Sequence, residues 1–196
     1  MRRRAILAIV LLFAACASDG RTLSTPPSGA SSPPLPVTTV RGQRASTASI
    51  ALTSTAFEPG GAIPIEHTCD GAGVSPPLAW GSIPEGTVEL ALTVTDTDAK
   101  GFVHWVLANI DPSVQALAIG TVPDASVQSL NDAGTPGWTG PCPPKGDGPH
   151  HYVFTLYALT SPTGVTEVMT GKEAITTISK VAGVTATLIG TYQRAP

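Results

Sequence analysis

Positive charge is scarce in the larger part of this 196-residue chain. From residue 49 onward, five basic residues stand against thirteen acidic ones, a balance of −8. The basic residues are scattered singly, at Lys100, Lys145, Lys172, Lys180 and Arg194. A nucleic-acid surface needs clustered Lys and Arg side chains that neutralise phosphates. The composition therefore argues against a nucleic-acid partner.

Motifs of catalysis and metal binding are also missing. The sequence contains no HExxH, GxSxG, CxxC or glycine-rich phosphate loop. A partial match to a calcium loop begins at Asp96, but Lys100 and Leu107 stand where that loop needs oxygen ligands. His104 and His150 have no diagnostic spacing for a metal. We therefore expect no catalytic residue, no metal site and no cofactor.

The N-terminus has an apolar stretch that is too short to span a membrane. Residues 1–16, MRRRAILAIVLLFAAC, join three arginines to eleven apolar residues, whereas a bilayer span needs about 20. This pattern predicts an export signal peptide. The FAAC motif at 13–16 resembles a bacterial lipobox and predicts lipidation of Cys16. The small residues at 15–17 also satisfy ordinary signal cleavage, so a membrane lipoprotein is favoured and a secreted soluble protein is the alternative.

Residues 17–48 contain no aromatic side chain. Five prolines, six serines and five threonines occupy this stretch. It cannot bury enough apolar area to offset its chain entropy, which predicts a disordered segment. In an extended proline-rich form it would reach about 3 Å per residue and act as a tether. A tail without a role fits the same composition.

Short apolar runs rich in β-branched residues dominate the chain after residue 49. The runs predicted as strands are 51–57, 88–94, 104–110, 151–159 and 184–192. One helix is predicted from the capping-box spacing of Thr170 and Glu173 and the apolar periodicity that ends before Gly183. Residues 49–196 are therefore expected to form one mainly β domain, a sandwich with one or two peripheral helices.

Unusual residues collect in three of the predicted turns. The segments 69–80, 95–105 and 140–152 hold both remaining cysteines, three of the four histidines and two of the three tryptophans. Loops that concentrate such residues at strand ends are common places for binding sites. A ligand site built from these loops is the first expectation.

The same three segments carry a family resemblance. Its residues are Cys69-Asp70-Gly71, Ser75-Pro76-Pro77-Leu78 and Trp80; Asp96, Asp98 and His104-Trp105; and Gly140-Pro141-Cys142-Pro143-Pro144, Gly146, Gly148-Pro149-His150 and Tyr152. With these blocks, in this order, the chain resembles the phosphatidylethanolamine-binding protein family, in its bacterial Raf-kinase-inhibitor-like branch. The resemblance runs from about Leu52 to Arg194 and implies two antiparallel sheets with a small anion pocket at one end.

The resemblance places five residues on the family's pocket positions. They are Asp96, His104, Pro144, His150 and Tyr152. Histidines can donate hydrogen bonds to an anion, and prolines fix the shape of the loop around it. The implied ligand is a phosphorylated or carboxylated group such as a phospholipid headgroup of the phosphoethanolamine type. His151 is expected on the opposite face of its strand, structural or solvated.

One loop departs from the family pattern. Where the family commonly has Asp-Pro-Asp-Ala-Pro, this chain has DTDAK at 96–100. Thr97 and Lys100 therefore replace two prolines. The segment from Lys100 to His104 is short, as in the bacterial branch, so the kinase-binding surface of animal relatives is not carried over.

Cys69 and Cys142 lie in two of the three site loops. Export would place them in an oxidising compartment, which predicts a disulfide; two buried thiols are the alternative. The leading functional hypothesis is a non-catalytic anion-binding module. A regulator that docks on a protein partner, such as a protease inhibitor, is the second, and a hydrolase using His104, His150 and Asp96 is the third.

Overall fold

The structure is a computed structural model, and it describes residues 49–196. The expected signal peptide, Cys16 and the tether lie outside the described residues. The strands are β1 (Leu52–Thr53), β2 (Leu78–Trp80), β3 (Glu89–Asp96), β4 (Phe102–Ile110), β5 (Ala116–Leu117), β6 (Val127–Gln128), β7 (His150–Leu159) and β8 (Ala182–Tyr192), with helix α1 (Gly171–Lys180) before the last strand. Within residues 49–196, every helix is too short or too polar to cross a bilayer.

Five strands form the larger sheet, in the order β6-β4-β3-β7-β8 with antiparallel pairing throughout. The central strand β3 has the sequence ELALTVTD, and its apolar side chains are fully buried. Strands β4 and β7 flank it, so both of its edges are hydrogen-bonded. The loops at one end of these three strands hold two of the three segments that the sequence singled out, 95–105 and 140–152.

The smaller sheet has the order β1-β2-β5 and covers one face of the larger sheet. Leu52, Leu78 and Leu117 of the small sheet belong to the same buried cluster as Leu92 and Phe154 of the large one. We call the face of the large sheet that carries this cluster its inner face. The prediction of two antiparallel sheets is confirmed.

Helix α1 packs on the other face of the large sheet. Ala174 and Ile178 are fully buried there with Val103, Val106 and Ala91. The predicted capping box is present, because Thr170 Oγ1 accepts from the backbone N–H of Glu173 while the Glu173 carboxylate accepts from the Thr170 N–H. A short 3-10 helix, Ile65–His67, lies in the loop before β2.

The first strand is shorter than the sequence predicts. Only Leu52 and Thr53 pair with β2, although the apolar pattern continues to residue 57. The Ser54 hydroxyl donates to Pro77 O at 2.6 Å and accepts from Ala56 N at 3.1 Å. A serine side chain that bonds nearby backbone competes with the ladder of the strand, so the chain turns away after Thr53.

Candidate functional site

Three neighbouring strands bring together the site residues predicted from the sequence. Asp96 ends β3, His104 lies near the start of β4, and His150 begins β7. All three line one cavity of about 150 Å³ at the end of the inner face. Pro144 closes another side of the same cavity. Four of the five residues predicted for the pocket therefore face one space.

An irregularity in β4 positions His104. Val94 pairs with Trp105 and Thr95 pairs with Val103, so His104 is an extra residue between two pairs of the ladder. Such a β-bulge re-aims side chains and is common beside functional sites. The His104 ring therefore lies on the inner face, with its centroid 4.8 Å from that of Phe102.

Asp96 is a buried carboxylate with its hydrogen-bond capacity used inside the protein; its exposed fraction is 3%. Its Oδ1 accepts from the backbone N–H groups of Asp98 at 2.9 Å and Ala99 at 3.1 Å. Its Oδ2 lies 2.7 Å from His150 Nδ1. Asp96 thus fixes both the loop that follows β3 and the orientation of the His150 ring.

The second histidine is held by a backbone carbonyl. His104 Nδ1 donates to Thr139 O at 2.7 Å, and Thr139 N donates to His104 O at 2.9 Å. Burial lowers the pKa of His104, although the Thr139 carbonyl and the Asp96 carboxylate oppose this effect. The neutral form of the His104 imidazole is therefore favoured.

The opposite wall is the segment 139–144, which joins the pocket to the loop at 67–69. Thr139, Gly140, Cys142, Pro143 and Pro144 line the cavity. A Cβ at Gly140 would lie 2.9 Å from His67 O and 2.9 Å from the Thr68 carbonyl carbon, so only glycine allows this close approach. The wall therefore rests directly on the backbone of the neighbouring loop.

The expected disulfide between Cys69 and Cys142 is present, with the Cα atoms 5.4 Å apart. Cys69 N also donates to Pro141 O at 3.1 Å. The next residue, Asp70, makes a two-bond ion pair with Arg194 at 2.7 and 2.8 Å, and this bond together with the Tyr192 hydroxyl lowers the pKa of Asp70. Tyr192 and Arg194 therefore hold the loop that contains Cys69 and Asp70 in place from its outer side.

Tyr152, the fifth predicted residue, lies behind the pocket instead of on its surface. Its ring packs edge-on against His104 at a centroid distance of 5.1 Å, and the side chain has no exposure. Its hydroxyl has no hydrogen-bond partner among the described residues. Burial, followed by the nearby Asp96 charge, raises the pKa of Tyr152. The Tyr152 ring therefore supports the His104 ring from behind the pocket.

His151 points to the outside, as its position on the strand predicts. Its Nδ1 lies 2.9 Å from Asp98 Oδ2, and its backbone N–H donates to the same oxygen at 2.7 Å. Half of the His151 side chain is exposed. The structure therefore contains two parallel Asp–His pairs, one that lines the pocket and one in solvent.

The sequence did not identify every lining residue as part of the pocket. Ala99, Phe102, Thr139 and Pro143 also contribute to it. A signal was available for Phe102, which lies two residues before His104, and for Thr139, which directly precedes the third motif block. Within residues 49–196, no three His, Cys, Asp or Glu side chains are close enough to form a metal site.

Comparisons with known proteins agree with this architecture. A Mycobacterium tuberculosis protein named "Putative lipoprotein LppC" is 41% identical over 146 residues, which cover 74% of this chain and 72% of that one. The crystal structure of Escherichia coli YbcL, described as a member of the mammalian PEBP family, has a TM-score of 0.71 and 33% identity, and the match covers 74% of this chain and 99% of that one.

A second solved structure gives the same result. CT736 of Chlamydia trachomatis, described as a homologue of phosphatidylethanolamine-binding protein, has a TM-score of 0.69 and 36% identity, over 74% of this chain and 98% of that one. The sequence model of the family called "Phosphatidylethanolamine-binding protein" matches residues 53–193. The chain therefore belongs to the phosphatidylethanolamine-binding protein family.

Proposed function

We propose that the protein is an exported, lipid-anchored binding protein whose pocket holds one phosphorylated or carboxylated group, such as a phosphoethanolamine-type headgroup. One observation carries the ligand part of the proposal. Two histidines from strands on either side of β3, His104 and His150, line a single small cavity whose third polar side is Asp96. Asp96 holds the His150 ring in place, and Thr139 holds the His104 ring.

The size of the cavity limits the ligand. A cavity of about 150 Å³ is small beside the roughly 300 to 1,000 Å³ of drug-sized ligand pockets. It matches a phosphoryl or carboxyl group with a few further atoms better than a long acyl chain. The bound part would therefore be the polar end of a ligand.

Hydrogen-bond donors for an anion come from two sources. Gly140 and Cys142 line the cavity, and their backbone N–H groups have no acceptor in the part of the chain that the structure describes. A histidine that takes up a proton supplies a further donor and a positive charge. No Lys or Arg belongs to the described lining, so binding an anion depends on these two kinds of donor.

The cellular part of the proposal rests on residues outside the described structure. The signal pattern at 1–16 and the lipobox-like Cys16 support export and lipidation, and one relative bears the name of a lipoprotein. Metabolic labelling with a fatty acid should mark the wild-type protein and leave Cys16→Ala unlabelled. Equal labelling of both proteins, or of neither, contradicts the anchor.

Calorimetric titration of the full chain with phosphoethanolamine tests the pocket. His150→Ala should weaken binding by about tenfold or more, because removing one buried hydrogen-bonding group typically costs 1 to 3 kcal/mol. The matched control is His151→Ala, which removes the neighbouring imidazole on the outside of the strand. The assigned site is wrong if the two variants bind alike.

A further inference from the structure

The hydrogen bonds of the pocket fix which nitrogen of each histidine carries a proton. A carbonyl oxygen only accepts, so the 2.7 Å contact between His104 Nδ1 and Thr139 O requires the hydrogen on Nδ1. Asp96 Oδ2 is 2.7 Å from His150 Nδ1. Asp96 Oδ1 already accepts two backbone N–H groups, which is the pattern of an ionised carboxylate. The hydrogen of neutral His150 therefore also lies on Nδ1.

The ring nitrogen left for a ligand is Nε2 in both cases. Neither Nε2 has a partner among the described residues. In a neutral imidazole with its hydrogen on Nδ1, Nε2 is an acceptor. The cavity lining therefore includes two histidines that each leave an acceptor nitrogen in this form, and Gly140 and Cys142 belong to the same lining.

The surroundings favour the neutral form of His104. Its charged and titratable neighbours are Asp96, Asp132, His150 and Tyr152. Burial outweighs the two carboxylates and lowers the pKa of His104. His150 faces Asp96 and His104 inside the pocket and lies near Asp98 outside it. Near neutral pH, the unprotonated His104 Nε2 is itself an acceptor. A ligand that has only acceptor atoms therefore cannot form a hydrogen bond with it.

We propose that the pocket selects phosphate monoesters, whose monoanion carries an exchangeable P–OH, over phosphodiesters, which have none. This inference rests on the proposed function and names the ligand class of the same site. The P–OH would donate to a histidine Nε2, and the other phosphoryl oxygens would accept from the backbone N–H groups. A diester offers no donor to His104 Nε2, unless this histidine first takes up a proton from solvent. A free phosphomonoester is therefore a better ligand than the diester headgroup of an intact phospholipid.

Methyl phosphate and dimethyl phosphate test this preference, since they differ by a single methyl group. Calorimetric titration of the wild-type full chain at pH 6, where about half of the methyl phosphate keeps its P–OH, should give about tenfold or greater preference for methyl phosphate over dimethyl phosphate. The methyl phosphate affinity should fall as pH rises above about 6, where the ester loses its last proton. The ratio of the methyl phosphate affinity to the dimethyl phosphate affinity should decrease toward pH 5, because a protonated histidine can donate to either ester.

A phosphate site that simply favours greater negative charge would behave differently. It would bind methyl phosphate more tightly as pH rises through about 6, and that result overturns the inference. Equal affinity for the two esters also overturns it while leaving the proposed function in place. Failure of phosphoethanolamine and both esters to bind removes the proposed function together with the inference.

Three asparagine variants locate the effect. In His104→Asn, the amide can still donate to Thr139 O, whereas the atom corresponding to Nε2 is lost. The preference for methyl phosphate should shrink in this variant and persist in His151→Asn, whose ring lies outside the pocket. An unchanged preference in His104→Asn and His150→Asn alike contradicts the assignment. If a variant fails to fold, the proposal is still decided by the wild-type protein, through the ratio of its affinities for the two esters and the pH dependence of that ratio.

Discussion

Asp96 and His150 lie on neighbouring strands, with Oδ2 of the carboxylate 2.7 Å from Nδ1 of the imidazole. Just beyond them, Asp98 and His151 repeat the contact at 2.9 Å in solvent. The inner pair has side-chain exposures of 4% and 13%, and the outer pair has exposures of 41% and 51%. The same chemistry thus occurs twice, which makes the outer pair a control for experiments on the inner one.

Asp96→Ala should destabilise the protein by about 2 to 3 kcal/mol. The substitution leaves the backbone N–H groups of Asp98 and Ala99 and the His150 ring without their shared acceptor. Asp98→Ala should have a much smaller effect, because exposed ion pairs contribute little. Urea unfolding of both variants measures the difference. Equal destabilisation would contradict a structural role for the buried carboxylate.

Stability should decrease on acidification from pH 7 toward pH 5, in part through His104. Burial lowers the pKa of folded His104 below its ordinary value of 6.5, so the unfolded chain takes up this proton first. The stabilisation is complete above pH 6.5 and is lost as pH falls through that value toward the folded pKa. The unfolding free energy of His104→Asn should therefore depend less steeply on pH. Parallel pH profiles of variant and wild type would exclude this assignment.

Loss of the disulfide should cost about 4 kcal/mol. Cys69 and Cys142 are 73 residues apart in sequence, and the chain-entropy relation gives about this value for such a loop. Denaturant unfolding with and without reductant measures the cost in the wild type. The Cys69→Ala/Cys142→Ala double variant should match the reduced protein and show no response to reductant. A wild type whose stability does not respond to full reduction would count against the prediction.

Lys100→Pro should destabilise the protein by more than about 1 kcal/mol, although proline is common at this position in the family. Lys100 has a φ of 56°, whereas proline requires a φ near −65°. Lys100→Gly is the matched control and should be at least neutral, because glycine adopts this conformation without strain. Thermal unfolding compares the three proteins. A stabilising proline would mean that the loop adopts the family's conformation with little cost.

Much of the fold could be predicted from local pattern. The four long strands show alternation or continuous apolar character, and α1 carries its own capping box. Strands β5 and β6 have two residues each and pair only because longer strands lie beside them. Strands this short produce no periodic signal, so the sequence predicts neither of them, nor the three-residue β2.

The site could be predicted only in part. The motif blocks identified Asp96, His104, Pro144 and His150, which all line the cavity. Alternation along β4 would place His104 on the face opposite Trp105, and the bulge brings both to the inner face. The partner of each histidine Nδ1 is set by tertiary contacts over 35 and 54 residues. Local sequence therefore cannot reveal which nitrogen faces a ligand.

Imidazole NMR tests the pocket assignment most directly. The chain has four histidines, and two-dimensional ¹⁵N spectra resolve Nδ1 and Nε2 of each ring. Addition of methyl phosphate should shift the Nε2 resonances of His104 and His150 and leave those of His67 and His151 nearly unchanged. His67 is fully buried behind the pocket wall, and His151 lies outside the pocket. No shift at His104 and His150, or a response confined to His151, would contradict the account.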